Sequence, residues 1–363
     1  MKYIDEFRNK KLIRLLSQKI QQLTPARKIN LMEVCGTHTQ NFRRFGLGEL
    51  LPANLKLISG PGCPVCVSPQ SYIDQAIELA QKKDNIILTF GDMLRIPGTK
   101  SSLEKERAAQ AEVKVVYSAL DSLKIAREHP LHKVIFLAVG FETTAPTIAL
   151  TLLAAKKEKI KNLYFLSSLK LIPAAMEYLL QDKRLRLDGF LCPGHVSAII
   201  GTQAYDFIPK RYKIPCCVAG FEPLDILEGI YFLLKNVAEN NPTVSNQYKR
   251  VVRKAGNPKA REIMARVFRV TDSQWRGLGE IPRSGLSLKK EFWQFDVNKK
   301  FSLKRELRTE NRNPNCRCGD VLKGLIIPPQ CRLFSCACRP EHPVGPCMVS
   351  SEGACNAYYR YRG

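Results

Sequence analysis

Residues 134–157 read VIFLAVGFETTAPTIALTLLAAKK. Val134–Val139 is the longest apolar run of the chain and has the length of a strand. Gly140-Phe141-Glu142-Thr143-Thr144 breaks the run with small and polar residues. Pro146–Lys157 then returns to helical spacing. Strand, polar turn, helix is the repeating unit of a parallel α/β sheet.

The same alternation extends both ways. Ile29–Val34, Leu55–Ser59, Ile86–Phe90, Val113–Tyr117, Leu163–Leu166 and Cys216–Val218 read as further strands, and Ser71–Lys83, Leu120–Glu128 and Pro173–Gln181 as further helices. Residues 3–22 carry Ile4, Phe7, Leu12, Leu15, Leu16 and Ile20 at amphipathic helical spacing. Three motifs recur in order. Cys35-Gly36-Thr37-His38-Thr39 is echoed by Gly140–Thr144, Pro61-Gly62-Cys63 by Pro193-Gly194-His195, and Phe90–Leu94 by Gly220–Leu224. This predicts two related α/β units with their motifs at strand-to-helix junctions, where open α/β sheets bind ligands. From about residue 240 the pattern turns to basic helical segments, then to a Cys-, Pro- and Gly-rich end.

The chain has 363 residues, 45% of them hydrophobic and 25% charged, which suits two or three globular domains and excludes disorder as the main description. Its first residues, MKYIDEFRNKKLIRLL, show no apolar core of a signal peptide, and no run is long enough to span a membrane. The expectation is a cytoplasmic protein, in which 13 cysteines point to metal or redox chemistry more than to structural bridges. The net charge of +24 would suit nucleic acid or an acidic protein partner. Residues 240–313 hold 18 basic and 7 acidic residues but no zinc-finger, RNP or helix-turn-helix signature, so nucleic acid is not expected.

Seven cysteines, Cys316, Cys318, Cys331, Cys336, Cys338, Cys347 and Cys355, crowd the last fifty residues. They exceed what one zinc needs, and the spacing leans toward an iron–sulfur cluster without excluding zinc. Cys63-Pro64-Val65-Cys66 follows a strand and precedes a helix. That placement lowers thiol pKa values and suits a redox pair, here in an exposed tight loop. Cys35 opens a loop with His38, as a nucleophile–base pair or a ligand pair, and Thr37 and Thr39 can donate hydroxyls. A buried Cys with no further role is the plainer reading. Glu142, Thr143, Thr144 and Glu222 have the same polar character after strands. His195 reads as a ligand, a proton carrier or simply the first residue of a helix. Cys192, Cys216 and Cys217 read as core. No phosphate-binding or dinucleotide-binding glycine motif is present.

CGTHT (35–39), GPGCPVC (60–66), GFETT (140–144), PGHVS (193–197), GFEPLDIL (220–227) and PVGPCMVSSEGAC (343–355) together resemble the HypD family of hydrogenase formation proteins, in order along essentially the whole chain. The resemblance implies an α/β fold: two related Rossmann-like parallel-sheet domains plus a C-terminal helical and irregular [4Fe-4S] cluster domain. The boundaries expected are an N-terminal helix at 1–28, α/β domains at 29–128 and 129–238, and the cluster domain at 239–363. It implies a scaffold for the Fe(CN)2CO centre of [NiFe]-hydrogenases, with iron held between Cys35 and the small chaperone HypC. Cyanide would come from HypE, fed by a HypF-derived donor, and the hydrogenase large subunit would be reached through HypC. It assigns the cluster to Cys316, Cys331, Cys338 and Cys355, whose gaps of 14, 6 and 16 residues match the family's motif. Cys318 and Cys347 match a thiol pair able to close a disulfide, and Cys63 and Cys66 match the redox pair nearer Cys35. Cys336 receives no role. The expected mechanism has a Cys35 thiolate anchoring iron and His38 orienting, hydrogen-bonding or shuttling protons, with the cluster feeding electrons through the two thiol pairs. Whether the chain is itself an enzyme stays open. A free-standing iron–sulfur disulfide reductase is the competing expectation.

Overall fold

The computed structural model describes residues 5–301 and 315–361. In it the run at 133–140 is a strand between two parallel neighbours, Asn85–Thr89 and Leu163–Lys170, and is buried from Val134 to Gly140. A parallel strand covered on both faces needs this unbroken apolar character. The helix that follows, Ala145–Lys157, has Pro146 in its first turn and Lys156 and Lys157 in its last, which suits the helix dipole.

The strands are β1 (Ile29–Glu33), β2 (Leu55–Ser59), β3 (Asn85–Thr89), β4 (Val113–Val115), β5 (Lys133–Gly140), β6 (Leu163–Lys170), β7 (Gly189–Pro193), β8 (Cys216–Ala219), β9 (Val244–Asn246), β10 (Phe268–Trp275) and β11 (Gly279–Leu288). They form two sheets. One is wholly parallel, in the order β2-β1-β7-β8-β9. The other is parallel through β4-β3-β5-β6 and continues antiparallel into β11 and β10. Successive side chains alternate between two cores in each sheet, as the pleat requires. Ile86, Val134 and Phe136 face one way, and Ile87, Ile135 and Leu137 the other. In the first sheet Phe190 and Cys216 pack with the C-terminal cysteines, while Leu191 and Cys217 face the helix Pro223–Ala238.

The expected pair of α/β units exists, but the units are interleaved. Each sheet begins with the same strand order, second-first-third-fourth, counted along its own part of the chain. Segments 29–128 and 129–238 each give two strands to each sheet, so a boundary at 128/129 does not follow them. Segment 239–363 likewise adds β9 to one sheet and β10–β11 to the other. The repeated motifs pair differently too. By position in the sheets, β1 matches β3 and β7 matches β5, so PGHVS, not CGTHT, is the counterpart of GFETT. The helical reading of the basic stretch gives way at Phe268–Leu288 to a hairpin whose Leu286 and Leu288 are buried beside β6. Part of that stretch, 302–313, lies outside the described residues, as do Tyr3 and Ile4 of the first helix. That helix is interrupted at Asn9, whose side chain accepts from Lys11 N and Leu12 N and so starts a new helix at Lys10. Among the described residues no helix is long and apolar enough to cross a membrane.

The turn after β2 lies against the end of β1. A Cβ on Gly62 would sit 2.2 Å from Cys35 N and 2.5 Å from its Cα. These are backbone atoms, which cannot swing aside. Gly62→Ala is expected to cost about 1–3 kcal/mol in chemical unfolding. Gly48→Ala, whose Cβ would meet only Phe42 at 3.6 Å, should leave stability within about 0.5 kcal/mol. Equal effects of the two substitutions would contradict this packing.

Candidate functional site

Five of the six motifs lie at carboxyl ends of parallel strands, and the sixth, 343–355, lies in the C-terminal segment. Cys35 follows β1 and His195 follows β7, the neighbours between which the strand order of the first sheet reverses. Thr143 and Thr144 follow β5, at the equivalent reversal in the second sheet. Val34, Cys35, Thr37, Gly62, Phe141, Thr143, Thr144, His195 and Glu352 line one hollow of about 400 Å³.

CGTHT is not a loop. Cys35 is the N-cap of the helix Gly36–Arg44, so Thr37 and His38 stand in its first turn. The Cys35 side chain makes no capping hydrogen bond to its helix, but the nearby backbone N–H groups of His38 and Thr37 favour a thiolate. Burial outweighs them. Together with the carboxylates of Glu352 and Glu33 it pushes the thiol up to about 12, so the free chain holds a neutral thiol.

His38 is fully buried, and its Nε2–H donates to the Gly220 carbonyl at 2.8 Å. That bond fixes the tautomer and leaves Nδ1 as a buried lone pair without a partner. Burial lowers its pKa to about 4, so the ring is a neutral imidazole. His38 and His195 flank the Phe221 ring, at centroid distances of 4.9 and 4.0 Å. Thr39 donates to Glu33, and Thr37 donates to Glu352 at 2.8 Å.

Two of the expected residues serve elsewhere. Glu222 caps the helix Pro223–Ala238 and pairs with Arg8. Glu142 is buried and accepts from Ile172 N at 3.1 Å. It lines a separate apolar groove of about 990 Å³ with Tyr178, Phe207, Ile281 and Leu286. The C-x-x-C pair, expected in an exposed loop, is buried and joined as a disulfide.

Sequence reading passed over four residues. Glu33 is the lone acid in an apolar strand and receives Cys35 N–H at 3.0 Å, so it braces the cysteine backbone. Glu352 lies in the quoted tail motif without a role of its own, and it presses on Gly36. Asp92 receives the Ser350 hydroxyl at 2.7 Å, which ties the tail to the end of β3. Arg276 lies in the turn after β10, with no motif to mark it. The lone acid in β1 was the one readable signal.

In the C-terminal region Cys316, Cys318, Cys331, Cys338, Cys347 and Cys355 line one small hollow with Val321, Leu333, Phe334 and Met348. Cys318 hydrogen-bonds with Cys316 and Cys347, and Cys347 with Cys355. All six are free thiols, and Cys336 is exposed. Among the described residues no three His, Cys, Asp or Glu side chains converge as ligands of one metal ion. Cys66 Sγ lies 3.8 Å from the Pro346 carbonyl oxygen, one residue from Cys347.

Two interleaved parallel sheets with a buried thiol at their switch point, backed by a sulfur-lined hollow, define a thiol-bearing α/β protein. A family model named HypD and described as "Hydrogenase formation hypA family" matches residues 11–362. The chain is 44% identical to the hydrogenase maturation factor HypD of Azotobacter vinelandii, over 99% of this chain and 97% of that protein. It is likewise 44% identical to the protein of that name from Escherichia coli (strain K12), over 100% and 98%, and 42% identical to that of Cupriavidus necator, over 99% and 97%. The chain belongs to the HypD family and is a hydrogenase maturation factor.

The buried acids set a pH dependence. Burial raises Glu142 to about 8. Its folded value lies above its unfolded one, so its contribution is full at acid pH and is lost as pH rises from about 4.5 to 8, on the order of 5 kcal/mol. Glu142→Gln keeps an acceptor for Ile172 N–H but cannot titrate. The stability of wild type relative to this variant should therefore fall between pH 5 and 8 in urea unfolding, and a pH-independent difference would refute the assignment. For His38, lowered to about 4, the sign is opposite, and stability is lost as pH falls from 6.5 toward 4.

Proposed function

We propose that this chain is the scaffold, together with a HypC-type chaperone, on which the Fe(CN)2CO centre is assembled, and that Cys35 anchors the iron. The observation that carries the reading is the Cys35 hollow. It offers one sulfur at a helix start, hydroxyls of Thr37, Thr143 and Thr144, and the imidazole of His195, while His38 is buried outside its lining. Incoming iron is the cargo. A thiol held neutral by burial becomes a ligand when a cation arrives, because coordination displaces its proton. His195, which lines the hollow, is the base available to take it. The hollow leaves room for the N-terminal cysteine of HypC and for cyanide delivered by HypE from HypF. Passage to the hydrogenase large subunit would follow through HypC.

We further propose that Cys316, Cys331, Cys338 and Cys355 hold a [4Fe-4S] cluster. A cubane keeps its four thiolates on separate irons, so an apolar hollow ringed by sulfurs fits it better than it fits a single ion. The buried, unpartnered Nη2 of Arg276, near the sulfurs of Cys318, Cys347 and Cys316, suits a group of net negative charge. When bound, the cluster would supply electrons.

The thiol pairs can exchange without another reagent. The Cys347 sulfur attacks Cys66 and releases Cys63. Cys318 then closes on Cys347 and releases Cys66. One disulfide forms and one breaks, and two electrons and two protons pass to the Cys63/Cys66 pair. A free-standing reductase would have no use for the Cys35 hollow.

In a host lacking its own homologue, Cys35→Ala should abolish hydrogenase maturation, scored as hydrogen uptake in extracts. Cys217→Ala, on the opposite face of the first sheet, should retain most of it. Maturation that survives Cys35→Ala would end the scaffold reading, and maturation that survives the double variant Cys63→Ala/Cys66→Ala would end the exchange step.

A further inference from the structure

Arg276 is only 4% exposed, and its guanidinium makes no ion pair with a carboxylate among the described residues. Its backbone N–H donates to the Val67 carbonyl at 2.9 Å, and its Nε donates to the Ser68 carbonyl at 2.8 Å. It thus clasps the two residues directly after Cys66. On its other side the next residue, Gly277, packs on Gly319. A Cβ on Gly277 would lie 2.4 Å from Gly319 Cα, beside Cys318. Nη2 is buried with no partner.

The ionisable groups that bear most on this guanidinium are, in order, the thiols of Cys318, Cys347 and Cys316, then the carboxylate of Asp74. Asp74 is already engaged by the backbone N–H and the hydroxyl of Thr99, both at 2.6 Å. Arginine does not give up its proton inside a protein. A buried cation without an anion costs several kcal/mol. The sulfurs are free thiols here, so the place left for a balancing anion beside Arg276 is a negatively charged group held among them.

We propose that Arg276 is the charge partner of the C-terminal sulfur site: its fixed cation favours the more negatively charged, reduced state of the group held there and fastens that site to the Cys63–Cys66 loop. Arg276 is a positioning and tuning residue, not a ligand. The proposal rests on the cluster reading above. Electrons arriving at the cysteine hollow meet a positive charge at the junction with the buried disulfide, and their arrival is thereby eased. Loss of the charge makes reduction harder, because the added negative charge is no longer balanced in an apolar surround.

The test is a potentiometric titration of the full chain isolated without oxygen, followed by electron paramagnetic resonance, with iron and acid-labile sulfide measured on the same samples. Arg276→Gln should shift the oxidised-to-reduced ratio at a fixed applied potential by about tenfold toward oxidised, about 59 mV for a one-electron couple. Arg276→Lys, which keeps the charge, should stay within about threefold of wild type. An unshifted Arg276→Gln, or an Arg276→Lys shifted as far as it, overturns the proposal and leaves the cluster reading standing. Should Arg276→Gln not fold, Arg276→His decides: its potential should fall more steeply with pH than that of wild type, and an equal slope overturns the proposal. Wild type without iron and sulfide would instead show that the cluster reading had failed, and the proposal with it.

Discussion

A sulfur atom at Cys35 is held between two opposed forces. The first turn of the helix Gly36–Arg44 offers it N–H groups and the positive end of a dipole, which favour a thiolate. Burial, with two carboxylates nearby, opposes that charge and wins in the free chain. The result is a neutral thiol in a site already arranged for an anion, and binding of a cation resolves the conflict. The surrounding structure maintains this balance. Glu33 braces the cysteine from below, Gly62 lets the neighbouring turn lie against it, and Glu352 covers its helix start.

That arrangement depends on the way the chain is wound. The path leaves the first sheet after β2, builds four strands of the second, and returns at β7. The return brings His195 beside Cys35, while Thr143 and Thr144 reach the same hollow from the other sheet. The C-terminal segment then ties both sheets together, through Ser350 to Asp92 and through Glu352 to Thr37. Cys318, Cys338, Cys347 and Cys355 consequently share a core with Cys63 and Cys66.

Much of this was legible in the sequence, and the exceptions have physical causes. The strands around Val134–Val139 were readable because parallel strands buried on both faces are apolar throughout. Gly189–Pro193 was not, since Gly and Pro at its ends read as turn residues. CGTHT reads as a loop because Gly and Thr are poor helix formers, yet a helix N-terminus welcomes them. The interleaving could not be seen, because motif order along a chain is silent about which strands pair. Glu142 and Glu222 share the look of site residues with Thr143 and Thr144, but their carboxylates are spent on helix starts. Arg276 carries no local signal at all. Its meaning comes only from the orphaned nitrogen and the sulfurs around it.

The central claim is that Cys35 anchors iron bearing cyanide and carbon monoxide. The most direct measurement is the infrared spectrum of the chain co-purified with its HypC-type partner from a host that matures [NiFe]-hydrogenase. The account predicts cyanide and carbon monoxide stretching bands in the wild-type complex and their absence from Cys35→Ala complexes of equal yield. Bands that persist in Cys35→Ala, or that are missing from the wild-type complex, would contradict it.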